Sequence, residues 1–118
     1  MTKNRGPLTE MKVIELAHVM AGPTCGRMLA DMGADVIKVE PPGGEEGRRI
    51  PPFVDGVEGP DRSFHFLYHN TSKRGITLNP GDPAGRGLLR KLALSADIVL
   101  NTQPADELQA LGHVRFLF

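Results

Sequence analysis

The sequence predicts an α/β fold: a Rossmann-like parallel sheet with flanking helices. Three observations carry it. Two short β-branched runs flank a helical pattern and its glycine stop within about 30 residues, the size of a βαβ unit. Further strand and helix patterns alternate after it. The chain of 118 residues has room for one domain.

Residues 1–10 read as a flexible start. Met11 to Leu16, Met-Lys-Val-Ile-Glu-Leu, is a buried-strand pattern. Ala17 to Pro23 forms a loop that ends in a helix start, with Pro23 suited to the first helical position. Cys25, Met28, Leu29 and Met32 recur at i, i+3, i+4 and i+7 and predict the buried face of that helix. On that face Cys25 is expected to be a packed thiol. Gly33 suits a left-handed C-cap. Asp35 to Glu40 is the second strand, stopped by Pro41-Pro42.

Residues 41–62 show neither strand nor helix period and read as one long loop rich in Pro, Gly and charge. Phe64, Phe66, Leu67 and Tyr68 suggest a short helix, and Asn70 to Gly75 a polar turn. Ile76 to Leu78 reads as a strand. Asp82-Pro83 opens a helix whose buried face is Leu88, Leu89, Leu92 and Ala93. Asp97 to Asn101 is a further strand. Asp106 to Leu111, closed by Gly112, is a last short helix, and residues 113–118 stay unassigned.

Composition limits the function. Lys+Arg and Asp+Glu are both 14. That balance supplies no basic excess for nucleic acid. No stretch approaches the ~18 apolar residues of a membrane span. The N-terminus shows no apolar signal region, and the single Cys25 excludes an internal disulfide. A cytoplasmic location is the expectation.

Ligands of open α/β sheets bind outside the carboxyl ends of the strands. Here those ends are Ala17–Pro23, Glu40 onward and Asn101 onward. The first leads into a helix N-terminus, which favours an anion. Glu40 stands where such folds hold an acid for a ribose hydroxyl, or else is a solvated strand terminus. His18 suits a hydrogen bond or acid/base role, or a structural one. His65 and His69 share i, i+4 spacing without a third ligand, so no metal site is assigned. Lys73-Arg74 and Arg48-Arg49 are basic pairs able to meet a phosphate or to sit solvated.

Val13 to Pro23, Leu29 to Pro41, Asn70 to Leu78, Asp82 to Leu92, and Ala96 to Asn101 together resemble the opening of the class III CoA-transferases. This is the family of formyl-CoA transferase, carnitine CoA-transferase and α-methylacyl-CoA racemase. The resemblance runs in unbroken order from about Pro7 to Gly112.

The resemblance implies that CoA moves between an acyl-CoA and a free carboxylate, through mixed-anhydride and thioester intermediates on an aspartate. Racemase members exchange an α-proton instead. Coenzyme A thioester enters as substrate, with no tightly bound cofactor. The partners implied are small acyl-CoA and carboxylate molecules and a second chain, as homodimer or self-associated form. By position, His18, Val19, Met20 and Ala21 would line the CoA thiol end. Lys73 and Arg74 would lie near its nucleotide end, and Asn101 near CoA. Met20 stands where formyl-CoA transferases carry glutamine, so the resemblance does not extend to oxalate/formate specificity.

Family members are much longer, and none of Asp31, Asp35, Asp55, Asp61, Asp82, Asp97 or Asp106 matches the motif of their catalytic aspartate. No catalytic residue is assigned. The chain is expected to be the N-terminal part of a larger domain, inactive alone. The alternatives are part of an acyl-CoA racemase, or a non-catalytic nucleotide-binding or interaction fragment.

Overall fold

A computed structural model describes residues 6–102. The predicted last helix at 106–111, its stop at 112 and the tail at 113–118 lie outside the described residues. Four strands, β1 (Lys12–Leu16), β2 (Asp35–Glu40), β3 (Arg74–Thr77) and β4 (Ile98–Asn101), form one parallel sheet. Its order is β3-β2-β1-β4. The helices are α1 (Ala21–Asp31), α2 (Phe64–His69) and α3 (Pro83–Ser95). The α/β prediction is what the structure shows.

Strand alternation divides the core into two layers. Val13 and Val36 pack with Ala30 and Ala34 on the α1 face. Ile14, Leu16 and Val39 pack with Leu89 on the α3 face. Covered on both sides, β1 and β2 carry apolar residues on both faces, as parallel strands do, interrupted by the buried charges Glu15, Lys38 and Glu40.

The element positions match the predicted pattern to within a few residues, but two helix faces need correction. On α1 the buried residues are Pro23, Gly26 and Ala30. Met28 and Met32 are 54% and 41% exposed, and Cys25 is an exposed thiol rather than a packed one. The reason is close approach. Glu15 lies directly beneath Gly26, and any Cβ there would overlap its carboxylate. Small residues therefore face the sheet and the larger methionines face away. On α3, Leu89 and Ala93 are buried, whereas Leu88 is 51% exposed.

Gly33 ends α1 as predicted, with φ 106°. A side chain there would also strike the backbone of Gly6. Ser63 caps α2 by accepting the Phe66 N–H at 3.2 Å. The 41–62 loop contains two short 3-10 turns, Glu46–Arg49 and Val54–Gly56, and a bridge between Phe53 and Ser63.

Candidate functional site

The sheet order reverses between β1 and β4. β1 steps to β2 and β3 on one side, and β4 returns to the other. A crevice forms at the carboxyl ends of strands on either side of such a reversal. Leu16 is the register partner of Asn101 there. The His18 N–H donates to Thr102 Oγ1 at 3.0 Å, tying the two strand exits together. Gly22 packs against Ala17 and Thr102 with no room for a Cβ. His18, Val19, Met20, Ala21 and Asn101 are therefore gathered at one end of the sheet.

Helix α1 begins in this crevice. Met20 occupies the N-cap position without a side-chain cap hydrogen bond. Pro23 carries no N–H, and the Thr24 N–H bonds Met20 O at 2.8 Å. The Ala21 and Gly22 N–H groups have no carbonyl one turn back, so they form the positive end of the helix dipole. Anionic ligand groups suit this position.

Beneath the loop lies a buried charge network. Glu15 and Lys38 are register partners on β1 and β2. Lys38 Nζ meets Glu15 Oε2 at 2.9 Å and Glu45 Oε2 at 2.5 Å. Lys73 Nζ meets Glu15 Oε1 at 2.8 Å. Two carboxylates and two ammonium groups give a neutral cluster, which is how buried charge is tolerated.

The same cations also hold backbone. Lys38 donates to Ala17 O at 3.0 Å. Lys73 donates to Pro23 O at 2.8 Å, to His69 O at 3.1 Å and to Asn70 Oδ1 at 2.8 Å. Burial pushes the Lys73 ammonium below the usual lysine range, against the opposing pull of Glu15.

Lys73 and Arg74 do not form one outward basic pair, because strand alternation sends them to opposite faces. The Lys73 ammonium is buried in the network. Arg74 lies at the amino edge of the sheet, held by Asp35 at 2.7 and 2.9 Å. The contact with Asp35 raises the Arg74 pKa. Neither stands with the residues of the β1–α1 loop as an open cation.

Glu40 fits neither of its two expected readings. It is buried, and Arg48 grips both its oxygens, Nε on Oε2 and Nη2 on Oε1, each at 2.6 Å. Such a fork is the strong form of the ion pair. Burial raises the Glu40 pKa, but the Arg48 hydrogen bond and the Glu45 N–H outweigh it and hold the carboxyl below its ordinary value. The Arg48 guanidinium also lies over the Phe66 ring, 3.8 Å from its centroid. Arg48 is thereby committed internally, unlike the exposed Arg49.

His65 and His69 stack at 4.2 Å between ring centroids. Each has a backbone partner, Val19 O for His65 and His65 O for His69. Among the described residues no group of three His, Cys, Asp or Glu side chains is placed to hold a metal. No helix among them is long and apolar enough to cross a membrane.

Sequence reasoning did not assign Lys38, Glu45, His65 or Thr102 to this site. A signal for the first existed: Glu15 and Lys38 are opposite charges on strands that otherwise read as buried. Glu45, His65 and Thr102 carried none, because their partners lie 26, 46 and 84 residues away.

The profile of CoA-transferase family III matches residues 8–114. The succinate–glutarate CoA-transferase of Agrobacterium fabrum is 45% identical over 116 residues, covering 95% of this chain and 29% of the relative. The succinyl-CoA:mesaconate CoA-transferase of Haloarcula marismortui is 39% identical over 104 residues, covering 88% and 26%. Among solved structures, a CAIB/BAIF family protein from Brucella suis superimposes with a TM-score of 0.81 at 43% identity, covering 92% of this chain and 29% of that one. The chain thus spans between a quarter and a third of the length of these relatives. With the family profile, the identity and the sheet topology in agreement, this chain belongs to CoA-transferase family III.

Proposed function

We propose that residues 1–118 form the CoA-facing N-terminal portion of an acyl-CoA:carboxylate CoA-transferase acting on short dicarboxylates. The observation that carries it is the β1–α1 loop. It stands at the sheet's reversal point with an uncapped helix N-terminus and is held from beneath by buried charge. The Ala21 and Gly22 N–H groups would face the thioester end of CoA, with His18, Val19, Met20 and Asn101 around it. The relatives' names, which include succinate, glutarate and mesaconate, support the dicarboxylate class. They also favour transfer over racemisation.

In this reading the carboxylate nucleophile is supplied from outside these residues, so the chain binds CoA without turning it over. Completing the site takes a segment that carries the nucleophile; pairing of two copies of this chain belongs to the same reading. A cytoplasmic location belongs to the same reading.

The test has two arms. Titration calorimetry with coenzyme A should give saturable binding, and the absence of binding overturns the half-site. Incubation with succinyl-CoA and glutarate, followed by mass spectrometry, should show no glutaryl-CoA. Turnover by this chain overturns the assignment of the nucleophile to another segment.

A further inference from the structure

Val19 is the one β-branched residue with positive φ among the described residues, at 72°. Valine enters this region only when its surroundings impose it. Both of its backbone polar groups are held by distant side chains. The Val19 N–H donates to Glu45 Oε1 at 3.0 Å. The Val19 carbonyl accepts from His65 Nε2 at 2.8 Å.

Glu45 is itself fixed. Its side chain is fully enclosed, its Oε1 also accepts the Gly47 N–H at 3.2 Å, and its Oε2 meets Lys38. Its own N–H donates to Glu40 Oε2 at 2.9 Å. His65 is presented by α2, a separate element. The residue after Val19 is the N-cap of α1, so the Val19 torsion sets where the helix N-terminus stands relative to His18.

We propose that Glu45 and His65 are positioning residues that grip Val19 from both sides and hold the β1–α1 loop in its ligand-ready shape. This rests on the CoA-facing reading of that loop. Neither side chain need touch the ligand. A Val19 that relaxed to negative φ would swing Met20, Ala21 and Gly22 away from the strand exits.

The experiment uses the full 118-residue chain and three variants: Glu45→Ala, Glu45→Gln and His65→Phe. Two readouts need no ligand, namely Val19 amide exchange and the Val19 HN–Hα coupling by NMR. The third is coenzyme A affinity by calorimetry. Glu45→Ala should speed Val19 exchange about tenfold, the value of one lost hydrogen bond. Glu45→Gln keeps an accepting oxygen for the Val19 N–H but turns its NH2 toward the Lys38 ammonium, so its Val19 exchange should fall between wild type and Glu45→Ala.

His65→Phe leaves the buried ions intact and tests the carbonyl side even where Glu45→Ala fails to fold. It should shift the Val19 coupling and weaken coenzyme A binding about tenfold by the same measure. Unchanged Val19 exchange and coupling in both Glu45→Ala and His65→Phe would overturn the proposal. Equal loss in Glu45→Gln and Glu45→Ala would also overturn it, since Glu45 would then act through charge on Lys38 alone. A wild-type chain that binds no coenzyme A refutes the CoA reading instead, and the Val19 readouts still decide the grip.

Discussion

Glu15 and Lys38 stand side by side on neighbouring parallel strands, register partners whose charged atoms meet 2.9 Å apart with almost no exposure to solvent. Lys38 is the hinge of the whole network, because Glu45 shares its ammonium. Lys38→Met leaves the Glu45 carboxylate buried with only N–H donors, while Glu15 keeps Lys73. Removing one partner of a buried pair costs about 3–5 kcal/mol. The urea midpoint should fall accordingly, and an unchanged midpoint would show that the pair contributes nothing.

Gly26→Ala should destabilise although the helix gains a better helix former. Its new methyl would overlap the Glu15 carboxylate, which Lys38 and Lys73 hold in place. Overpacking of this kind costs about 1–3 kcal/mol. Gly87→Ala on α3 meets no atom within van der Waals range and supplies the control. Thermal unfolding of the two variants should move in opposite directions.

The Glu40–Arg48 fork makes part of the stability depend on acid. The folded Glu40 pKa lies below its ordinary value of 4.5, so near that pH the unfolded chain binds more protons. The contribution is complete above 4.5 and is lost as pH falls through the folded value. Glu40→Gln should cost about 2 kcal/mol at neutral pH, as for a charge-assisted hydrogen bond. It should also flatten the acid limb in urea titrations, and an acid limb of unchanged slope would count against Glu40 as its source.

The outer faces of α1 and α2 expose Met28, Met32, Phe64, Leu67 and Tyr68. Arg27 stacks on Tyr68 at 4.5 Å and links the two helices. A surface of this kind favours association. Sedimentation equilibrium should show mass rising with concentration, and Met28→Glu with Leu67→Glu should abolish the rise. A strictly monomeric wild-type chain would refute this.

Much of the fold was legible because local chemistry repeats. β-branched runs marked β1, β2 and β4, Gly33 marked the end of α1, and Asp82-Pro83 marked the start of α3. The β1–α1 loop was also legible as a site, since any βαβ unit puts that loop at the strands' carboxyl ends. The buried face of α1 is not legible in this way. Periodicity identifies the apolar stripe, but Glu15 beneath Gly26 demanded the smallest side chains instead.

Local patterns along the chain carry the α/β alternation, the family resemblance and the loop of the candidate site. What its charges do depends on contacts between distant segments. Glu15, Lys38, Glu45 and Lys73 come from four separate segments, and only strand register and loop closure bring their ends within 3 Å. The same closure sets Val19 between Glu45 and His65 and turns Lys73 inward while Arg74 faces the other way. A charge read along the chain has a sign and a position; its partner is fixed by distances across the sheet.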